Sequence, residues 1–205
     1  MLTLELTKPG DKPKPRLSLS LKKGDTFVVE LFWDSEQDLD AHALLCVNAG
    51  DGAKVQGYED VLSTHNTKKM NVHGVLVNNP NGSFSTPDGS LTHSGDSRTG
   101  VDSDVDESIT FDGAKVRPGI NEIPIFVTIY KGPETHTTFA NVSHAGIRIK
   151  DGDGAVKAEY ALSGEFGSFN AVQMGSIMLG ADGWEFSPVG TGFNGDFNLI
   201  LGSFS

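Results

Sequence analysis

The run INEIPIFVTIY, residues 120–130, decides the fold. It is the most continuous apolar stretch of the chain and is rich in β-branched side chains, which suit a pleated surface better than a helix. An apolar run without a polar face reads as a strand covered on both sides, in the middle of a sheet. Pro124 falls near its start, where a missing backbone donor is tolerated. On the C-terminal side, AGIRIKDGDGAVKAEYAL (145–162) reads as a hairpin: Ile147 and Ile149 alternate with polar residues, DGDG supplies the turn, and Val156 and Tyr160 follow. Residues 169–190 repeat that plan around a GADG turn. On the N-terminal side, ESITFDG (107–113) and LSLSLKKGD (17–25) alternate with period two, the pattern of half-buried strands, and TFVVELFWD (26–34) continues as a further strand. AHALLCV (41–47) adds another before the turn cluster NAGDG. No amphipathic helix longer than two or three turns is present, and TTFANVSHAGI (137–147) offers at most a helical turn. Short strands broken by turn clusters, without alternating helices, predict an all-β chain. The expected architecture is a β-sandwich of two mainly antiparallel sheets with long acidic loops. The expected organisation is an N-terminal strand and proline-rich arm over residues 1–16, then one sandwich domain over 17–205.

Composition narrows the function. The chain has 205 residues, 37% of them apolar, and 25 glycines, which favours many turns and a lean core. Its formal net charge of −11 argues against nucleic acid, whose phosphates need Lys and Arg, and against anionic lipid surfaces. It suits a protein that attracts cations. The single cysteine, Cys46, excludes an internal disulfide and reads as a buried apolar residue. The first residues, MLTLELTKPGDKPKPRL, carry no apolar secretory core, and no run approaches the roughly 20 apolar residues of a membrane span. The expected location is the cytoplasm, or a virion assembled there, with no membrane insertion.

Two acidic segments stand out. HSGDSRTGVDSDVDES (93–108) offers Asp96, Asp102, Asp104, Asp106 and Glu107 on one Gly- and Ser-rich loop. Hard cations such as Ca2+ take six to eight oxygen ligands, and like charges crowded this way call for a counter-charge. The loop is not an EF-hand: in the twelve-residue frame from Asp96, Val101 stands where that motif requires Gly, and the frame from Asp102 fares no better. In WDSEQDLDAHALL (33–45), Asp38 and Asp40 are two residues apart at the entry to a strand, so they project to one face and form a candidate second wall for the same site. A merely solvated acidic loop is the competing reading of both segments. The six histidines show no zinc spacing, and His93 is expected to hold the acidic loop by hydrogen bonding. No G-x-S-x-G elbow is present and no nucleophile–base pattern emerges, so an enzyme is not expected. Trp33 and Trp184 read as core aromatics.

DLDAHALL, PDGSLTHSGDSRTG, DESITFD, IFVTIY and GWEFSPVGTGFNG, in this order, resemble the TerD family of tellurium-resistance and stress proteins. The similarity runs over residues 17–201, with 48–77 matching poorly. It implies a β-sandwich that binds Ca2+ and has no established catalytic centre, and it implies Asp38, Asp40, Asp96, Asp106 and Glu107 as ligands. The family's loop usually carries Asp where this chain has Ser103 and Val105, while Asp102 and Asp104 take the neighbouring positions. A one-residue shift in an extended segment changes the face, so one cation site is expected before two. The resemblance implies a binding or scaffolding role in tellurite or stress resistance, with calcium, and protein partners or self-assembly, as its contacts. The alternative is a structural protein of a larger assembly, such as a phage particle, joined through its arm or a strand edge.

Overall fold

The computed structural model describes the backbone of Leu17–Leu21 and residues 26–67, 74–101 and 104–205 in full. The expected strand and arm over 1–16, the Gly24-Asp25 turn and Asp102 lie outside the described residues. In chain order the strands are β1 (Leu17–Leu21), β2 (Thr26–Phe32), β3 (Leu39–Leu44), β4 (Val47–Asn48), β5 (Ala53–Lys54), β6 (Val61–Leu62), β7 (Val77–Asn78) and β8 (Phe84–Ser85). They continue with β9 (Leu91–His93), β10 (Glu107–Asp112), β11 (Glu122–Ile129), β12 (Gly146–Asp151), β13 (Val156–Ala161), β14 (Ala171–Gly180) and β15 (Gly183–Phe193). One sheet has the order β1-β15-β14-β11-β3-β6 and the other β13-β12-β2-β10-β9-β8-β7, while β4 and β5 form a small separate hairpin. All the named pairings are antiparallel. Both hairpins read from the sequence are present, as β12–β13 and β14–β15.

The two sheets share one core. Phe27, Val29, Leu31, Ile109, Phe111, Ile147 and Ile149 of one sheet pack with Ala41, Ala43, Ile123, Ile125, Val127, Ile177 and Phe186 of the other. Trp33 and Trp184 are both core residues. The decisive strand β11 lies between β14 and β3. Its odd-numbered residues face this core, and Phe126 points the other way, into a second apolar cluster with Leu44, Cys46, Val61, Phe197 and Ile200. Phe197 and Ile200 belong to a short C-terminal helix, α1 (Phe197–Gly202), whose start is capped by the Asp196 side chain accepting from the Leu199 amide. That helix covers the outer face of the β3–β11–β14 sheet, which explains why both faces of β11 are apolar. The other sheet keeps its outer face for polar groups, among them Glu30, Arg148, Lys150 and Glu159, joined in an ion-pair network.

Candidate metal centre

The site is built where β3 enters its sheet. Asp40 and His42 share the outer face of β3, and Asp38 precedes the strand, fixed by its carbonyl accepting from the Tyr130 amide at 2.8 Å. Pairing of β3 with β6 brings the turn after β6 over this face, and the Thr64 hydroxyl donates to Asp40 Oδ1 at 2.7 Å. His65 Nε2 stands 3.7 Å from Asp40 Oδ2. His42 lies deeper, fully buried, with its ring nitrogens 3.0 Å from Ser63 Oγ and 2.9 Å from Thr128 Oγ1, and its ring stacked on Phe197 at 4.0 Å.

The acidic loop closes the site from the opposite sheet. Glu107, the first residue of β10, is buried on the inner face and crosses the sandwich: its Oε2 accepts from the Ala41 amide of β3 at 2.8 Å. Its Oε1 accepts from the Ser97 amide at 3.2 Å, and His93 Nε2 stands 3.3 Å from Oε2. His93 Nδ1 accepts from the Gly95 amide, so Nε2 is the nitrogen left to carry a proton toward Glu107. His93 thus ties down the loop, as its sequence position suggested. Gly95 turns the chain with φ of 120°, a conformation that favours glycine. Gly100 lies against Trp33, where an added Cβ would come within 2.5 Å of the indole.

These constraints bring Asp38, Asp40 and Asp96 together: one carboxylate oxygen of each lies within 4.8 Å of the other two. They line a cavity of about 310 Å3, shared with Thr64, His65, Arg98 and Tyr130. Burial, then the neighbouring charges of Asp40, Asp96 and Glu107, push Asp38 up to about 7. Burial also opposes the Asp40 carboxylate, but His65 and Thr64 outweigh it and hold its pKa below the ordinary value. The same contact raises that of His65, against the effect of burial. Burial raises Glu107. Asp38 Oδ1 and Asp40 Oδ2 are buried acceptors without a hydrogen-bond partner among the described residues.

The other sequence candidates are placed differently. Glu107 sits behind the cluster and organises it through backbone amides. Asp106 turns its carboxylate to the Trp33 amide, with Oδ2 accepting at 2.9 Å. Asp104 is exposed and lines a separate open depression with Trp33, Gly100 and Arg148. Sequence reasoning missed Thr64 and His65. Their signal was weak because they lie 24 and 25 residues from Asp40, and only the β3–β6 pairing brings them near it.

Comparison with known proteins agrees with this architecture. The TerD domain model matches residues 14–204. The chain is 29% identical to the tellurium resistance protein TerD of an Alcaligenes species over 210 residues, which is 99% of this chain and 97% of that one. It is 28% identical to the TerD protein of Serratia marcescens over the same shares. The crystal structure of a homologue of telluride resistance protein (TerD) from Streptomyces coelicolor A3(2) superposes with a TM-score of 0.66 at 23% identity, covering 87% of this chain and 95% of that one, a likeness of fold. With a family model spanning nearly its whole length and the sandwich that the decisive strand predicted, the chain belongs to the TerD domain family.

Proposed function

We propose that this protein is a Ca2+-binding module of tellurite and stress resistance that acts by binding or scaffolding. The observation that carries the reading is the convergence of Asp38, Asp40 and Asp96 from two separate segments, with two buried carboxylate oxygens that accept no hydrogen bond among the described residues. An all-oxygen donor set suits a hard cation. Asp38, Asp40 and Asp96 would hold the ion, which would supply the counter-charge that this cluster calls for. Thr64 orients Asp40, and Glu107 keeps the loop bearing Asp96 in register through the Ser97 amide. The resistance role rests on the names of the relatives. The close Ser63–His42 pair does not favour an enzyme: both residues are fully buried, out of reach of a substrate.

Calorimetric titration with Ca2+ tests the reading. The wild type is expected to bind, Asp40→Ala to lose the heat, and Asp106→Asn to keep it, because an amide oxygen can still accept from Trp33. Absence of heat in the wild type, or its survival in Asp40→Ala, refutes the site.

A further inference from the structure

The cavity above the carboxylates is larger than a cation requires. Its 310 Å3 falls at the lower end of the ~300–1,000 Å3 of small-molecule pockets and is about ten times the ~30 Å3 share of one water. Besides the Thr64, His65 and Arg98 side chains, two kinds of wall face this space. Asp38, Asp40 and Asp96 supply one, while Phe84 and Tyr130 supply another. Tyr130 is 39% exposed, and its ring already draws an ammonium, with Lys131 Nζ 5.2 Å from the centroid. A hydrated metal ion gains nothing from aromatic walls. The charges are also unequally matched: Arg98 pairs with Asp96 and His65 with Asp40, whereas Asp38 has no ion-pair partner among the described residues. Asp38 Oδ1 is a buried acceptor without a hydrogen-bond partner among the described residues, and Asp40 Oδ2, on a side chain only 4% exposed, meets His65 Nε2 at 3.7 Å, beyond hydrogen-bond reach. A primary ammonium brings one positive charge and three N–H donors on a narrow apolar stem.

We propose that this cavity binds a primary alkylammonium compound, with its nitrogen on Asp38 and Asp40 and its alkyl stem against Phe84 and Tyr130. The site goes beyond the calcium reading and does not depend on it. Because the carboxylates are shared, the amine and the metal exclude one another.

The test is calorimetric titration of the protein in EDTA with methylamine, ethylamine, propylamine and butylamine. Affinity rises along the series, roughly fourfold per methylene fully buried against the rings. Tyr130→Ala flattens that rise and leaves the Ca2+ titration unchanged. Asp40→Asn weakens every amine at least tenfold, by an order-of-magnitude estimate for loss of a charged acceptor, and Asp38→Asn replaces it if that variant does not fold. No binding overturns the proposal. So does an affinity that ignores chain length or survives both Asp variants, which is the behaviour of diffuse attraction to a surface of net charge −11. Calcium binding with a flat amine series sinks this inference alone, and a rising series without calcium binding sinks the calcium reading alone.

Discussion

Asp38 is the residue on which the electrostatics of the site concentrate. It is half-buried and faces three other carboxylates, and its pKa stands at about 7 against 3.8 for a free side chain. A carboxyl raised by folding stabilises the native state while protonated. Its contribution is therefore complete below about pH 4 and lost as pH rises through about 7. In EDTA, urea denaturation is expected to show wild type losing stability over this window relative to Asp38→Asn. Half-exposure and solvent screening reduce the difference to the order of 1 kcal/mol. Calcium should abolish it for wild type and have little effect on the variant. An identical pH dependence in the two proteins would show that Asp38 does not carry this strain. The aspartate pair at 38 and 40 was legible in the sequence because period two puts it on one face. The fate of Asp106 and Glu107 was not. Counting acids on a loop cannot reveal that one carboxylate holds Trp33 and the next crosses the core, since consecutive residues in extended chain point to opposite sides.

At the scale of elements, the centre is an agreement between a strand and a loop. β3 brings Asp40 on one face and core alanines on the other, and residues 94–100 are pinned by the Gly100 amide donating to Ser35 O at 3.1 Å and the Ser94 amide donating to Ser108 O at 2.9 Å. Gly100 has no room for a side chain, because Trp33 fills the space. Gly100→Ala is expected to cost about 1–3 kcal/mol by overpacking, read as a lower urea midpoint at unchanged slope. A variant as stable as wild type would mean that the loop yields easily there. The hairpins β12–β13 and β14–β15 were readable from alternation and turn chemistry. The reach of β6 was not: a two-residue strand carries no periodicity, and its pairing with β3 is what delivers Thr64 and His65.

The whole molecule is a sandwich with unequal faces. One sheet is covered on both sides around β3 and β11, by the shared core and by α1, and the other keeps a charged outer surface. The all-β class was legible from the sequence because turn clusters recur between apolar runs. The order of strands within each sheet was not, since it depends on partners far apart in the chain, such as β2 beside both β10 and β12. If calcium binds the folded chain alone, saturation at about 100 times the dissociation constant adds about 2.7 kcal/mol of stability. For a chain of this size that is roughly 5–10 °C in melting temperature. Scanning fluorimetry with calcium and with EDTA measures it, and coincident melting curves would rule out a preformed site. Among the described residues no helix is long and apolar enough to cross a membrane.

Glu107 has a mechanical consequence. Two packed sheets held only by apolar contact resist separation well but shear weakly, because interlocked side chains can slip by a notch. A carboxylate anchored in β10 that grips the Ala41 amide of β3 is a rivet through the sandwich, directional and short, and it resists sliding. It stands one residue along β3 from Asp40. Load that slides one sheet over the other would therefore strain this bond, which ends one residue from Asp40 and so couples sheet sliding to the carboxylate cluster.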